Sequence, residues 1–340
     1  MKQDIKSMRL PELEGYFESI GEQKFRAKQI FSWLHKTVLS FDEMTDISIG
    51  LREKLDKMFY ISVPALVEKQ ESKIDGTIKY LWSVQDKNLI ESVLMKYSHG
   101  NTVCLSTQVG CRMGCNFCAS SLDGFVRNLS ASEMLDQVLF TKTKVSNVVL
   151  MGTGEPLDNF DNVIRFIHLI NHPSGINLGA RHITLSTCGI VENIDRLADY
   201  DVQLTLAISL HAPDDETRTM LIPANRNTGV KALMEACENY FERTGRRITY
   251  EYSLIDGIND SPGQAIQLSR LLKKTSSHLN LIFLNNVYGR RFKPSTEENI
   301  KIFIDILNKN GVNYTIRRSL GSDIEASCGQ LRHRIISTLS

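Results

Sequence analysis

From about residue 101 onward, short β-rich runs alternate with helical stretches, and this alternation restricts the fold more than any other feature of the chain. The runs are TVCLST, NVVLM, HITLS, QLTLAIS, ITYEYSLI, LNLIFL and YTIRRS. Between them lie amphipathic segments such as SASEMLDQVLF, where Ser130 and Glu133 have capping-box spacing. Strands alternating with helices call for βαβ units and a mainly parallel sheet. Right-handed crossovers curl such a sheet into a full or partial barrel. The expected class is therefore α/β, a partial (β/α)6 barrel.

Upstream of the alternation the pattern differs. Residues 1–65 read as a helical accessory domain, where FRAKQIFSWLHK brings Phe25, Ile30, Phe31, Trp33 and Leu34 near helical spacing. Trp33 reads as a core residue. Residues 66–100 read as a β-hairpin extension, with TIKYLWSV and LIESVLMKY as strands and DKN as the turn. Residues 101–340 form the expected core. Neither an internal repeat nor a low-complexity segment interrupts it. With 340 residues, 42% of them apolar, one large domain and a small accessory one can be buried.

The formal net charge of +1 neither requires nor excludes nucleic acid. Residues 286–334 carry nine Lys and Arg (Arg290, Arg291, Lys293, Lys301, Lys309, Arg317, Arg318, Arg332, Arg334) against five acids, a local excess of four. A basic face of this kind can track phosphates, although a solvated surface is the ordinary reading. The start, MKQDIKSMRL, is polar and lacks a signal-peptide core, and no apolar run approaches a membrane span. A cytoplasmic protein is expected, with no membrane partner. Its seven cysteines then point to metal or catalysis rather than to disulfides.

In parallel α/β folds, chemistry sits beyond the carboxyl ends of the strands. The unusual residues fall there. Cys111 follows the first strand, Gly154 and Glu155 the second, and Ser186 ends the third. Ser209, Leu210 and His211 end the fourth, Asn285 ends LNLIFL, and Cys328 follows YTIRRS. Cys111, Cys115 and Cys118 have C-x3-C-x2-C spacing. Three thiolates this close can bind a 4Fe-4S cluster and leave one iron open to a small molecule. Structural zinc is the alternative, but it needs a fourth ligand such as Cys104. In MGTGEP (residues 151–156) the glycines allow close backbone approach and Glu155 can pair with an ammonium group. Leu157 rules out a Rossmann fingerprint.

The cysteine triplet, with Phe117 between its last two members, resembles the signature of the radical S-adenosylmethionine (SAM) superfamily, and GTGEP resembles its SAM-binding GGEP motif. Three further stretches narrow the resemblance: Val103–Cys111 (VCLSTQVGC), Ser209–Ala212 (SLHA) and Gly321–Leu331 (GSDIEASCGQL). With the triplet they resemble the RlmN/Cfr family of RNA adenine methyltransferases over essentially the whole chain. Val109 is similar to the RlmN branch; the Cfr branch would carry a second cysteine there. The chain departs from the family pattern at Thr153, Asn286 and Ala224.

The resemblance implies a radical-SAM core and methylation of carbon 2 of adenosine 2503 in 23S rRNA, with adenosine 37 of tRNAs as a second target. It implies a 4Fe-4S cluster on Cys111, Cys115 and Cys118, with SAM contacts at Gly154, Glu155, Ser186, Ser209, Leu210, His211 and Asn285. Two SAM are used per turnover. A methyl first loads onto Cys328, a second SAM then provides the radical, and Cys104 resolves the RNA–protein adduct through a transient disulfide. Glu91 matches the proton acceptor, although on its strand alone it reads as an exposed residue. The implied partners are 23S rRNA, tRNA and an electron donor such as flavodoxin or ferredoxin. Three other readings stay open: carbon-8 methylation of the same base, another radical-SAM enzyme such as an activase, and a non-catalytic iron–sulfur or zinc RNA-binding module. Cys188 and Cys237 read as buried structural thiols.

Overall fold

The computed structural model describes residues 2–200, 202–273, 277–284, 291–318, 320–326 and 329–339 (the last without its side chain). Asn285, Asn286, Arg290 and Cys328 lie outside the described residues. The strands are β1 Gln3–Asp4, β2 Phe59–Tyr60, β3 Ala65–Glu71, β4 Ile78–Ser83, β5 Leu89–Tyr97, β6 Gly100–Leu105 and β7 Gln108–Gly110. They continue as β8 Phe125–Asn128, β9 Asn147–Leu150, β10 Ile183–Thr187, β11 Thr205–Ser209, β12 Ile248–Leu254, β13 Ser277–Phe283 and β14 Tyr314–Ile316. The α-helices are α1 Leu10–Ser19, α2 Lys24–Leu34, α3 Ile49–Met58, α4 Ala131–Leu139, α5 Phe160–Asn171 and α6 Val191–Ala198. After them come α7 Asp215–Leu221, α8 Gly229–Thr244, α9 Pro262–Leu272, α10 Glu297–Lys309 and α11 Gln330–Leu339.

One ten-stranded sheet, ordered β14-β13-β12-β11-β10-β9-β6-β5-β4-β3, organises the chain. From β6 to β14 every neighbouring pair is parallel. From β6 to β3 every pair is antiparallel. All seven β-rich runs become strands, with β14 only three residues long at the sheet edge. The fold is the expected mixed α/β architecture. Among the described residues no strand pairing closes the sheet. Residues 65–97 are not a separate hairpin but the antiparallel continuation of the same sheet, three strands wide.

The helices cover the outer face because each presents one apolar side to the strands. In α5, Val163, Phe166, Ile167 and Ile170 are all buried. Ser130 caps α4 as its spacing required: its hydroxyl accepts from the Glu133 N–H, and Glu133 reaches back to the Ser130 N–H. The amino-terminal helices share this core rather than forming their own: Phe17, Ile30, Phe31 and Leu34 belong to the same apolar cluster as the sheet. Phe25, by contrast, is exposed, and Trp33 is only half-buried, its indole N–H donating to Asp46. Lys6 is fully buried and binds Asp136 of α4 at 2.6 Å and the Ser62 carbonyl at 2.5 Å. Among the described residues no helix is long and apolar enough to cross a membrane.

Candidate active site

A cavity of about 370 Å³ opens at the carboxyl ends of the parallel strands. Cys104, Cys111, Cys115, Cys118, Gly154, Glu155, Ser186, Ser209 and His211 all line it. Leu210 does not: it is fully buried and joins the main apolar cluster, so only its backbone faces the turn. Glu91 is not on the wall either, and it is buried rather than exposed, at 3% accessibility.

The cysteine loop is pinned at both ends by the small antiparallel pair β7–β8. Gly110 has φ +74°, and a side chain there would collide with the Gly124 carbonyl, so only glycine lets the two strands close. The Asn116 N–H donates to the Leu221 carbonyl at 2.9 Å and its side chain to the Met220 carbonyl at 2.6 Å. The Ser121 hydroxyl ties the Cys115 and Cys118 carbonyls together. Burial, then the neighbouring sulfurs and Glu155, pushes the Cys111 thiol up to about 12 and the Cys115 thiol well above its ordinary value.

The GTGEP turn is held by residues 106–108. The Thr153 carbonyl accepts from the Thr107 and Gln108 N–H groups, and its own N–H donates to Ser106. Gln108 accepts from the Glu155 N–H at 2.9 Å and donates to Asn128 and Asp158. The Thr153 hydroxyl accepts from the Ser120 hydroxyl at 3.4 Å, and the bonds that hold the turn use its backbone, so this departure leaves the turn intact. A Cβ on Gly152 would lie 2.5 Å from the Leu105 carbonyl, and one on Gly154 (φ +113°) 2.7 Å from Gln108. Both oxygens of Glu155 are already engaged, one by the Leu157 N–H and one by the Cys188 N–H, each within 2.9 Å. Burial raises its pKa.

At the end of β11, His211 is buried with φ +56°. Its Nδ1 accepts from the Ser253 N–H at 2.9 Å, so the neutral ring carries its proton on Nε2. Burial and the nearby Arg218 lower its pKa to about 3. Phe117 of the cysteine loop packs edge-on against it, with centroids 4.8 Å apart.

Three contributors escaped sequence reasoning. Arg218 is buried beneath the site and donates to the Cys188, Ser209 and Leu210 carbonyls and to Asn225. Glu251 lines the cavity, buried; among the described residues one of its oxygens accepts no hydrogen bond, and Arg317 lies 3.7 Å from it. Arg317 and Arg318 also line the cavity while remaining partly open to solvent. Asp123, just past the triplet, binds Arg332 at 2.9 Å and His333 at 2.7 Å. None carries a local pattern that would single it out.

Residues 105–269 match the family model described as the radical SAM superfamily. Residues 3–61 match that of the ribosomal RNA large subunit methyltransferase N-terminal domain. The chain is 52% identical over 336 residues to the probable dual-specificity RNA methyltransferase RlmN of Lachnoclostridium phytofermentans, covering 97% of this chain and 94% of that protein. The chain belongs to the RlmN family of dual-specificity, radical-SAM RNA methyltransferases. A similarly named protein of a Thermoanaerobacter species is 51% identical over 337 residues, with 98% of each chain covered. The crystal structure of a radical SAM methyltransferase from Sphaerobacter thermophilus superposes with TM-score 0.91 at 41% identity, covering 96% of this chain and 98% of that one.

RlmN membership implies SAM and a 4Fe-4S cluster. The donor set fits both. Three thiols within eight residues, Cys111, Cys115 and Cys118, line one cavity together with Glu155. A cluster takes each thiolate on a different iron, and its charge offsets the cost of ionising buried thiols. Gly152 and Gly154 line the cavity, and their lack of a Cβ lets the turn lie directly against Leu105 and Gln108.

Proposed function

We propose that this chain methylates carbon 2 of adenosine 2503 in 23S rRNA, and adenosine 37 in tRNAs, through an S-methylcysteine at Cys328. The observation that carries this reading is the convergence of Cys104 with the cysteine triplet on one cavity wall. The chain on either side of Cys328 reaches the same wall: Ala326 lines the cavity, and a Cβ on Gly329 would lie 2.6 Å from the Ser120 backbone.

Cys111, Cys115 and Cys118 hold the cluster. Gly154, Glu155, Ser186, Ser209, Leu210, His211 and Asn285 hold SAM, Leu210 through its backbone. When bound, the cluster and two SAM per turnover supply one methyl group and one hydrogen-abstracting radical. Glu155 has both oxygens committed to backbone N–H groups and keeps lone pairs for an ammonium. The Ser186 and Ser209 hydroxyls, 3.5 Å apart, suit ribose and adenine edges. His211, neutral, offers an Nε2–H donor without adding charge beside a sulfonium. Carbon 2 of adenine is electrophilic, so the methyl needs a thiolate carrier, which is Cys328. Cys104 then attacks Cys328 Sγ, so that a disulfide forms as the bond from that sulfur to the methylene on the base breaks and the freed carbon takes up a proton, and Glu91 accepts the proton that leaves carbon 2 of the base. Val109, fully buried where the Cfr branch would carry cysteine, favours carbon 2 over carbon 8.

Residues 1–65 form the RNA-contacting domain, 66–100 the β extension, and 101–340 the radical-SAM core with the carrier loop. An electron donor of the flavodoxin or ferredoxin kind serves the enzyme in the cytoplasm. Two substitutions test the thiol assignments. Cys104→Ala is expected to accumulate a covalent RNA–protein adduct on denaturing gels. Cys328→Ala is expected to assemble the cluster but give neither adduct nor methylated RNA. Methylation persisting in Cys328→Ala would contradict the carrier assignment.

A further inference from the structure

Glu91 and Lys79 form a buried pair on β5 and β4, 2.9 Å apart, with Lys79 fully inaccessible. Strand pairing does not explain what else the carboxylate does. One oxygen accepts from the Gly329 N–H at 2.6 Å, and the other accepts from the Arg332 N–H at 2.6 Å. These are the unpaired donors at the start of α11, where a carboxylate is favoured by both hydrogen bonding and the helix dipole. The Arg332 side chain closes the joint by donating to the Leu89 carbonyl at 3.0 Å and to Asp123 at 2.9 Å.

The other flank of the carrier loop is tied to the same extension. Asp75 accepts from the Gly321 N–H at 2.8 Å. Asp323 accepts from the Ser72 hydroxyl at 2.6 Å and the Lys73 N–H at 2.8 Å. Gln70 accepts from the Glu325 N–H at 3.2 Å.

We infer that Glu91, braced by Lys79, is a positioning residue: it seats the first turn of α11, which follows on Cys328 in the chain, and methyl loading depends on that seat before any RNA is bound. This rests on reading Cys328 as the methyl carrier. Three donors on its two oxygens hold the carboxylate in this seat.

The test uses the cluster-loaded protein without RNA. In loading, the bond from the sulfonium to the methyl breaks, a bond from the methyl to Cys328 Sγ forms, S-adenosylhomocysteine leaves, and the thiol proton goes to solvent. Peptide mass spectrometry reads the methyl, and hydrogen–deuterium exchange reads the Gly329 and Arg332 amides. Glu91→Gln is expected to slow loading at least about tenfold and to expose both amides, because a charge-assisted pair of bonds is lost. Glu91→Asp keeps an acid but is one carbon too short to span both amides, and is expected to behave the same way. Wild-type loading in both variants, with a defect appearing only when RNA is added, would overturn the inference and leave Glu91 a proton acceptor alone. If a variant fails to fold, the wild-type protein still decides, since rapid exchange at Gly329 and Arg332 overturns the seat. Absence of any methyl on Cys328 in the wild type would instead remove the carrier reading, while the amide measurement still reports on the seat.

Discussion

His211 illustrates how single residues set the chemistry. Its pKa falls to about 3 because burial and Arg218 both disfavour a charged ring. The unfolded chain takes up a proton near the ordinary value of 6.5, and the folded one does not until about 3. Folding stability is therefore full above pH 6.5 and lost as pH falls toward 3. This one group contributes a slope of up to about 1.4 kcal/mol per pH unit. Urea melts of wild type and His211→Gln between pH 7 and 4 should differ by this slope; parallel curves would show that the ring ionises normally. Gly154 makes a second residue-scale point. Its φ of +113° and the contact a Cβ would make with Gln108 mean that Gly154→Ala should cost about 1–3 kcal/mol and weaken SAM binding at least tenfold. Isothermal titration with SAM and a thermal melt check both effects. The cysteines and the Gly-Glu turn were legible in sequence because their chemistry is carried by local spacing. Arg218, Glu251 and Asp123 were not, because each acts on residues far away in the chain. Glu91 misled in the opposite sense: its alternating strand suggested exposure, whereas α11 covers it.

Among the elements, the parallel strands were the most readable, since each is a short apolar run between helices. β3 was not. As the sheet edge it is exposed along most of its length, Leu66 and Val67 included, so it has no alternating apolar face to recognise. Yet β3 and the turn after it carry the ties to the carrier loop. Asp75 shows how one such tie depends on pH. Burial alone would raise its pKa, but the Gly321 and Thr77 N–H groups and nearby hydroxyls hold it near 2, below its ordinary 3.8. That contribution is present above pH 3.8 and lost as pH falls toward 2. Asp75→Asn should remove this acid-sensitive part and loosen the loop at neutral pH. Amide exchange at Gly321 would read it, and unchanged protection would rule the tie out.

At the scale of the whole molecule, the helical amino-terminal unit and the sheet share one apolar cluster. Their attachment was not legible in sequence, because a buried Lys6–Asp136 pair cannot be seen there. Removing one partner of such a pair leaves the other charge stranded, at about 3–5 kcal/mol. Lys6→Met should therefore lower the urea midpoint of the entire protein in one transition; a separate early transition would mean that the amino-terminal unit unfolds alone. The basic stretch near the carboxyl end also changes meaning in three dimensions. Arg332 and Arg334 are spent in ion pairs, and Arg317 faces Glu251 in the cavity.

The account as a whole turns on the base that is methylated. The direct measurement is anaerobic: the cluster-loaded protein is incubated with SAM, a reductant and a 23S rRNA fragment, and the nucleosides are then separated by mass spectrometry. The expected product is 2-methyladenosine, accompanied by 5′-deoxyadenosine. Finding 8-methyladenosine, or 5′-deoxyadenosine with no methylated base, would contradict it.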